Sequence, residues 1–306
     1  SDPLGTARVD LARAGFISGA EGISLARQAV AQLQTLGALG AAAAGRALIA
    51  DLEEETQPRL KVRTLGGFAM EHDGRAVGTS AWQSRKARDL LKMLIAARGK
   101  PQHREVLIEA LWPGDDPAKA GNRLSVAIST IRTVLDPNKA HPSDRYVSSD
   151  KESVALNTGS LAIDVEEFLG AAATGLDLHR RGRVDAGLAE MQRAEAMYVG
   201  DFLEEQPYDD WAVGLREECR NVYLQITSRL ANAARTAGDH DTAARLYLRM
   251  LERDPYHEPA HLGLVSAMAA AGRHGAARRL YGVYAGRMAS LDVEPAAFPG
   301  PGVIRP

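Results

Sequence analysis

Three segments in the C-terminal half of the chain repeat one pattern, and that pattern leaves few folds open. R-G-R-V-D-A-G-L-A-E-M carries Gly182 at its second place, A-G-D-H-D-T-A-A-R-L-Y carries Gly238, and A-G-R-H-G-A-A-R-R-L-Y carries Gly272. The last two glycines stand 34 residues apart, with Ala243 and Ala277, then Tyr247 and Tyr281, at equal offsets behind them. From about Asp164 to Glu294 the apolar residues recur at helical spacing. A 34-residue period with small residues at the helix crossings marks tetratricopeptide-type helix pairs. Each pair must stack on its neighbour to bury its apolar face, and the stack leaves a concave surface suited to a protein partner.

The segment before the repeats is organised differently. Asp116 is an N-cap residue, Pro117 fits the first helical position, and Asp136-Pro137 supplies a stop, so a helix is predicted over Pro117 to Leu135. Leu124, Ala127, Ile128, Ile131 and Leu135 form its apolar stripe. Asn122, Val126, Ser129 and Thr133 lie opposite, flanked by Lys119, Arg123, Ser125, Thr130 and Arg132. That outer face offers amide, hydroxyl, methyl and cationic groups and no carboxylate, which suits a major groove lined with base edges and bordered by phosphates. An ordinary amphipathic surface helix would look similar, so the neighbouring elements decide.

Upstream, L-K-V-R-T-L-G-G-F-A-M alternates as a strand, with a bulge permitted at Gly66-Gly67 and a hairpin turn at His72-Asp73-Gly74. Ser84 opens a helix to about Arg98, with Ala87, Leu90, Leu91, Leu94 and Ile95 inward and Arg85, Lys86, Arg88 and Lys92 at the surface. A shorter helix runs from Arg104 to Leu111. Downstream, Tyr146 to Ser148 and Ser153 to Leu156 read as a hairpin around Ser149 to Glu152, a candidate wing. Sheet, three helices, then hairpin is the order of a winged helix-turn-helix.

Charge sharpens this reading. The net charge is -2, yet residues 61–157 hold 16 Lys and Arg against 11 Asp and Glu, while residues 158–306 hold 16 against 21. The basic excess sits where a phosphate-binding module needs it. We therefore expect Asn122, Val126, Ser129 and Thr133 near base edges, and Arg85, Lys86, Arg104, Lys119, Arg123, Arg132, Arg145 and Lys151 near phosphates. Trp211 and Tyr208 are expected as core anchors.

The motifs, taken together, resemble a known family. L-G-G-F at Leu65 to Phe68, W-Q-S-R-K-A-R-D-L-L at Trp82 to Leu91, L-I-E-A-L-W-P at Leu107 to Pro113 and N-R-L-S-V-A-I-S-T-I-R at Asn122 to Arg132 are similar to the OmpR-type winged helix. Y-x-G-D-F-L at Tyr198 to Leu203, Asp210-Trp211 with Arg216, and L-x-R-D-P at Leu251 to Pro255 are similar to the bacterial transcriptional activation domain. In this order they resemble the antibiotic regulatory proteins (SARP, the AfsR/DnrI/RedD group) over about three quarters of the chain. The resemblance implies an activator that binds promoter direct repeats in double-stranded DNA, contacts RNA polymerase holoenzyme and sits on DNA as a homodimer.

The expected fold is mainly α with a small β component: a helical N-terminal extension over 1–58, a winged helix over 59–160, an all-α tetratricopeptide-like domain over 161–294 and a flexible tail over 295–306. The opening Ser1-Asp2-Pro3 lacks an initiator Met, and residues 1–58 resemble the end of a repeat domain, so the chain is expected to be the C-terminal part of a larger regulator. No apolar run is long enough to cross a bilayer and no leader is evident, giving a cytoplasmic, nucleoid-associated expectation without membrane contact. Cys219, the single cysteine, is expected as a buried thiol.

Two other readings stay in view. His257-Glu258-Pro259-Ala260-His261 matches H-E-x-x-H, the zinc hydrolase signature. Pro259 inside it, its place at a helix start and the lack of a third-ligand motif argue against a metal, so neither enzyme activity, metal nor cofactor is expected. A repeat scaffold that binds a protein and no specific DNA is the alternative, and it predicts no salt-dependent affinity for duplex DNA.

Overall fold

The computed structural model describes residues 2–17, 20–56 and 60–299, and separates them into a compact unit before Leu60 and another from Leu60 onward. The first unit holds α1 (Pro3–Ala14), α2 (Ala20–Thr35) and α3 (Leu39–Thr56), packed consecutively. Asp2 caps α1 by accepting from the Leu4 amide, and the small core is largely alanine: Ala7 and Ala42 pack with Val30 and Leu33, and Ala14 and Ala26 form a second cluster beside Leu48 and Ile49. Pro58, at the expected boundary, lies outside the described residues.

The second unit begins with β1 (Leu60–Arg63), β2 (Ala69–His72) and β3 (Arg75–Ala76). The expected single strand with a bulge is instead a hairpin. Gly66 at φ +75° and Gly67 at φ +127° take backbone conformations open to glycine, and the chain reverses there. Asp73 and Gly74, both at positive φ, make the second turn as expected. Next come α4 (Arg85–Ala96), β4 (Gln102–His103), α5 (Arg104–Leu111) and α6 (Pro117–Leu135), then β5 (Val147–Ser149) and β6 (Ser153–Leu156). The strands β4-β6-β5 form the wing sheet.

Beyond the wing, β7 (Ala162–Ile163) leads into α7 (Asp164–Arg180), followed by α8 (Val184–Met197), α9 (Asp210–Thr236), α10 (His240–Arg253), α11 (Glu258–Ala270) and α12 (His274–Ala289). α7 packs with α8, α9 with α10 and α11 with α12. Gly182, Gly238 and Gly272 sit at φ +78°, +80° and +75° in the three inter-helix turns, where a left-handed residue ends one helix and starts the next. The expected flexible tail is held at its start: Ala296 is hydrogen-bonded to Tyr281 and Tyr284, and residues 300–306 lie outside the described residues.

The winged helix and the repeat helices share one structure. β7 pairs in parallel with β1, giving the order β3-β2-β1-β7, so the first sheet is completed by residues entering the repeat region. The Asp164 carboxylate, at the start of α7, accepts from the Thr64 amide at 2.8 and 2.9 Å, the Thr64 hydroxyl at 2.6 Å, the Leu65 amide at 2.9 Å and the Val165 amide at 2.8 Å. Gly66 donates to the Asp201 carbonyl at 3.0 Å, Leu203 to the Thr64 carbonyl at 2.8 Å, and Leu65 bridges Phe202. A Cβ on Gly200 would meet Gly66 Cα at 2.5 Å, so this backbone approach requires glycine.

Lys92, expected at the surface, is 3% exposed. Its ammonium bonds Glu205 Oε1 at 2.8 Å and lies 5.0 Å over the Phe68 ring. The reason is long-range: the loop after α8 brings a carboxylate onto α4 from 113 residues away. Burial pushes the Glu205 carboxyl up, but Lys92 and the Phe68 amide hold it below the usual range. Arg98, at φ +53°, adds bonds to Glu166 at 2.8 and 2.9 Å and to Glu218 at 3.0 Å. Asp164→Ala strips the acceptor from three amides at this joint; a loss of about 3 kcal/mol is expected, read as a lower urea midpoint with an unchanged m-value.

Candidate nucleic-acid interface

α6 is built as its sequence demands. Asp116 accepts from the Lys119 amide at 3.0 Å, Pro117 opens the helix, and Ala120, Leu124, Ala127, Ile128, Ile131, Val134 and Leu135 are buried. Asn122, Val126, Ser129 and Thr133 are exposed, with Val126 65% exposed, an apolar side chain held in water. No carboxylate lies on this helix. The hydroxyls of Ser125, Thr130 and Thr133 each donate to the carbonyl four residues back at 3.0 Å. Their hydrogens are thereby committed, so outward they offer only lone pairs.

The wing is fastened to this helix by arginines. Arg132 donates to the Val147 carbonyl at 3.2 and 2.8 Å and to Ser149 Oγ at 3.1 Å. Arg104 reaches Ser125 Oγ at 3.1 Å, while its amide donates to the Glu152 carbonyl at 2.9 Å. At the tip, Asp150 accepts from the Glu152 and Ser153 amides at 2.8 and 2.7 Å. These two bonds hold its carboxyl below the usual range and turn Lys151 outward into solvent.

The eight expected phosphate contacts therefore divide. Lys86, Lys119, Arg145 and Lys151 have no side-chain partner among the described residues, and Arg85 stands 3.9 Å from Asp89. Arg123 is paired with Asp115, and Arg104 and Arg132 brace the wing. Lys139 and His141, absent from the sequence expectations, join this face. Asp136 accepts from the Ala140 and His141 amides at 2.9 and 2.8 Å, folding the following loop back beside the helix end. A cavity of about 430 Å³ there is lined by Ser129, Arg132, Thr133, Lys139, His141 and Tyr146. Two basic residues directly behind a helix stop were the available signal.

The H-E-x-x-H residues are engaged in packing. His257 Nδ1 accepts from the Ala260 amide at 3.1 Å as an N-cap. The Glu258 carboxylate accepts from the Tyr284 hydroxyl. The His261 ring is 3% exposed, 2.9 Å from the Pro255 carbonyl and 3.0 Å from the Arg287 guanidinium. Desolvation lowers its pKa. Among the described residues no cluster of three or more His, Cys, Asp or Glu could hold a metal ion, and no helix is long and apolar enough to cross a membrane. Cys219 is buried, its thiol pushed up to about 12 by desolvation. Trp211 packs on the core. Tyr208, expected beside it, is 93% exposed. Arg216 explains the difference: it donates to the carbonyls of Phe202, Gln206 and Pro207 and so fixes the loop with its next residue facing solvent.

Comparison with known proteins agrees with this architecture. Residues 163–298 match the bacterial transcriptional activator domain and residues 78–151 match the C-terminal domain of transcriptional regulatory proteins. The transcriptional regulatory proteins MoaR1 of Mycobacterium bovis (strain BCG / Pasteur 1173P2) and Mycobacterium tuberculosis (strain ATCC 25618 / H37Rv) are each 23% identical over 173 residues, 56% of this chain and 56% of theirs. The structure of Mycobacterium tuberculosis EmbR in complex with a low affinity phosphopeptide has the same fold, with a TM-score of 0.66 and 20% identity, covering 78% of this chain and 62% of that one. The chain thus spans just over half the length of the curated relatives it matches.

A winged helix of the OmpR type joined to a bacterial transcriptional activator domain defines a class of transcriptional regulator. Over the two matched segments the chain is similar to transcriptional regulators of that class.

Arg132→Ala removes the bonds that hold β5 to α6. Hydrogen exchange at the wing amides should quicken at least tenfold while exchange within α9 is unchanged, because wing opening is a local event. Lys151→Ala should leave both alone.

Proposed function

We propose that this chain is a sequence-specific DNA-binding transcriptional activator. The observation that carries the reading is the outward face of α6: exposed, free of carboxylates and set beside a wing braced by Arg132 and Arg104. In the proposed complex this helix lies in the major groove with Asn122, Val126, Ser129 and Thr133 toward the bases. Asn122 has both donor and acceptor free for a bidentate adenine contact, and the Val126 methyls suit a thymine methyl. Thr133, whose proton is donated to Ser129, accepts only, so it favours the amino groups of adenine or cytosine.

Phosphates are assigned to the unpartnered cations Lys86, Lys119, Arg145 and Lys151, with Arg85 beside them and Lys139 behind. Arg104 and Arg132 act by positioning the wing, and Arg123 contributes once it leaves Asp115. The acidic repeat region is proposed to contact RNA polymerase holoenzyme or a neighbouring protomer, and the exposed Tyr208 between Glu204, Glu205, Asp209 and Asp210 is the part of it most available to a partner. The proposed setting is cytoplasmic, on promoter direct repeats, with two protomers side by side.

Selection of randomised duplex DNA by the whole chain tests this. A direct repeat with a centre-to-centre step of about 10.5 bp is expected, one helical turn between successive major grooves. No enrichment and no salt-dependent binding would leave the protein-binding scaffold. On a selected site, Asn122→Ala should cost about 1 to 3 kcal/mol of discrimination at a single base pair. Lys151→Ala should weaken all sequences alike and reduce the salt slope by about one, measured by anisotropy across a salt series.

A further inference from the structure

Outside the DNA-facing region, the residues after α12 are held in the manner of a bound peptide. The chain reverses after Ala289 and returns along α12. There the Tyr281 hydroxyl donates to the Ala296 carbonyl at 2.8 Å, and the Ala296 amide donates to the Tyr284 hydroxyl at 2.8 Å. Both backbone groups of one residue are thus read by two tyrosines, and the Tyr284 proton goes to Glu258. Two residues on, the Phe298 ring stands edge-on to Tyr281, centroids 5.2 Å apart, with the Arg278 guanidinium 5.3 Å from the Phe298 centroid. Pro295 and Pro299 bound the segment and bias the residues before them toward extended backbone.

The surface that receives it is a groove on the repeat helices. A cavity of about 460 Å³ is walled on one side by Ala296, Ala297 and Pro299. Across from them lie Asn232, Tyr247 and Gly263. A Cβ on Gly263 would meet the Tyr247 ring at 2.4 Å, so glycine lets this tyrosine lie flat, its hydroxyl on Asn232 at 2.9 Å. The recognition is therefore a backbone clamp, an aromatic slot and a shallow floor, the elements of extended-peptide binding.

We propose that this groove takes the Pro295–Pro299 segment of a second copy of the chain, so that two copies associate by exchanging tails. The occupant is argued from the hinge. The return is made in a few residues, with Asp292 at φ +56° and hydrogen bonds from Leu291 and Val293 back to the Met288 carbonyl. A short reversal through a non-glycine left-handed residue favours opening of the hinge and exchange of the segment it carries. Leu291 and Val293 are half exposed in the closed hinge, and exchange brings the two hinges, with these apolar side chains, together. A second copy also carries the one segment whose fit to the groove is on view. This association does not depend on DNA.

Complementary variants of the whole chain test the proposal by sedimentation. Ala296→Pro with Phe298→Ala spoils the tail and leaves the groove; Tyr281→Phe with Tyr284→Phe spoils the groove and leaves the tail. Each alone is expected to sediment as a monomer from about 10 μM to about 1 mM, while their mixture gives a heterodimer, because the vacant groove no longer faces a tail in cis at an effective concentration on the order of millimolar. Monomers in the mixture, with helicity unchanged, overturn the proposal, as does a parent-chain dimer untouched by both pairs. If either variant unfolds, the unaltered chain decides. A peptide of residues 294–300 at millimolar concentration should quicken exchange of the Ala296 amide roughly threefold or more. No change overturns the groove, and quickened exchange in a chain that stays monomeric throughout overturns the second copy as occupant.

Discussion

The Asp164 carboxylate is the fixed point between the winged helix and the repeat helices. It ends strand β1 by accepting from Thr64 and Leu65 and begins helix α7 by accepting from Val165. A carboxylate accepting several amide bonds is well satisfied when partly buried, and the same amides are left orphaned if it is lost. Because β7 immediately precedes it and pairs with β1, the sheet that opens the winged helix cannot be completed without the repeat region. The orientation of α6 is then passed to α9 through α4, which packs on both.

This joint explains what several of the sequence motifs are for. L-G-G-F and Y-x-G-D-F-L lie far apart in the chain, yet Gly66 and Gly200 meet backbone to backbone, and Leu65 bridges Phe202. Arg216 holds the carbonyls behind that contact, and Phe68 completes it by packing against Trp82 and under Lys92. None of these residues lies on the outward face of α6. They specify how the domains dock, and only the helix and wing motifs specify what they face. A family signature read along the chain is here largely the signature of an interface.

Legibility in the sequence followed the range of the interaction responsible. The ends of α5 and α6 were readable because caps, proline and apolar spacing act within a few residues, and the inter-helix turns because glycine alone reaches their backbone angles freely. β4 and β7 were not readable: two residues carry no periodicity, and each exists only because a distant strand offers its edge. Lys92 looked like any cation on a helix surface, its burial depending on Glu205 from the loop after α8. Tyr208 was misjudged for the same reason. An exposed arginine reads identically whether a phosphate or a protein oxygen awaits it, so the roles of Arg104 on α5 and Arg132 on α6 came only from the fold, whereas the exposure of Asn122, Val126, Ser129 and Thr133 followed from helical spacing alone.

The chemistry of the joint also limits how such a protein can be controlled. Opening it would leave Lys92 without Glu205 and Gln206 in a site where it is 3% exposed. Glu205 is 42% exposed, so screening reduces what the pair itself contributes. The lone ammonium would nonetheless have to be rehydrated, and the Asp164 amides with it. Winged helix and repeat region therefore move as one body at modest energies. A signal of a few kcal/mol is better matched to elements held by fewer bonds: the wing on Arg132, or the segment after α12 on its two tyrosines. Control through such elements would leave the geometry between the two halves intact.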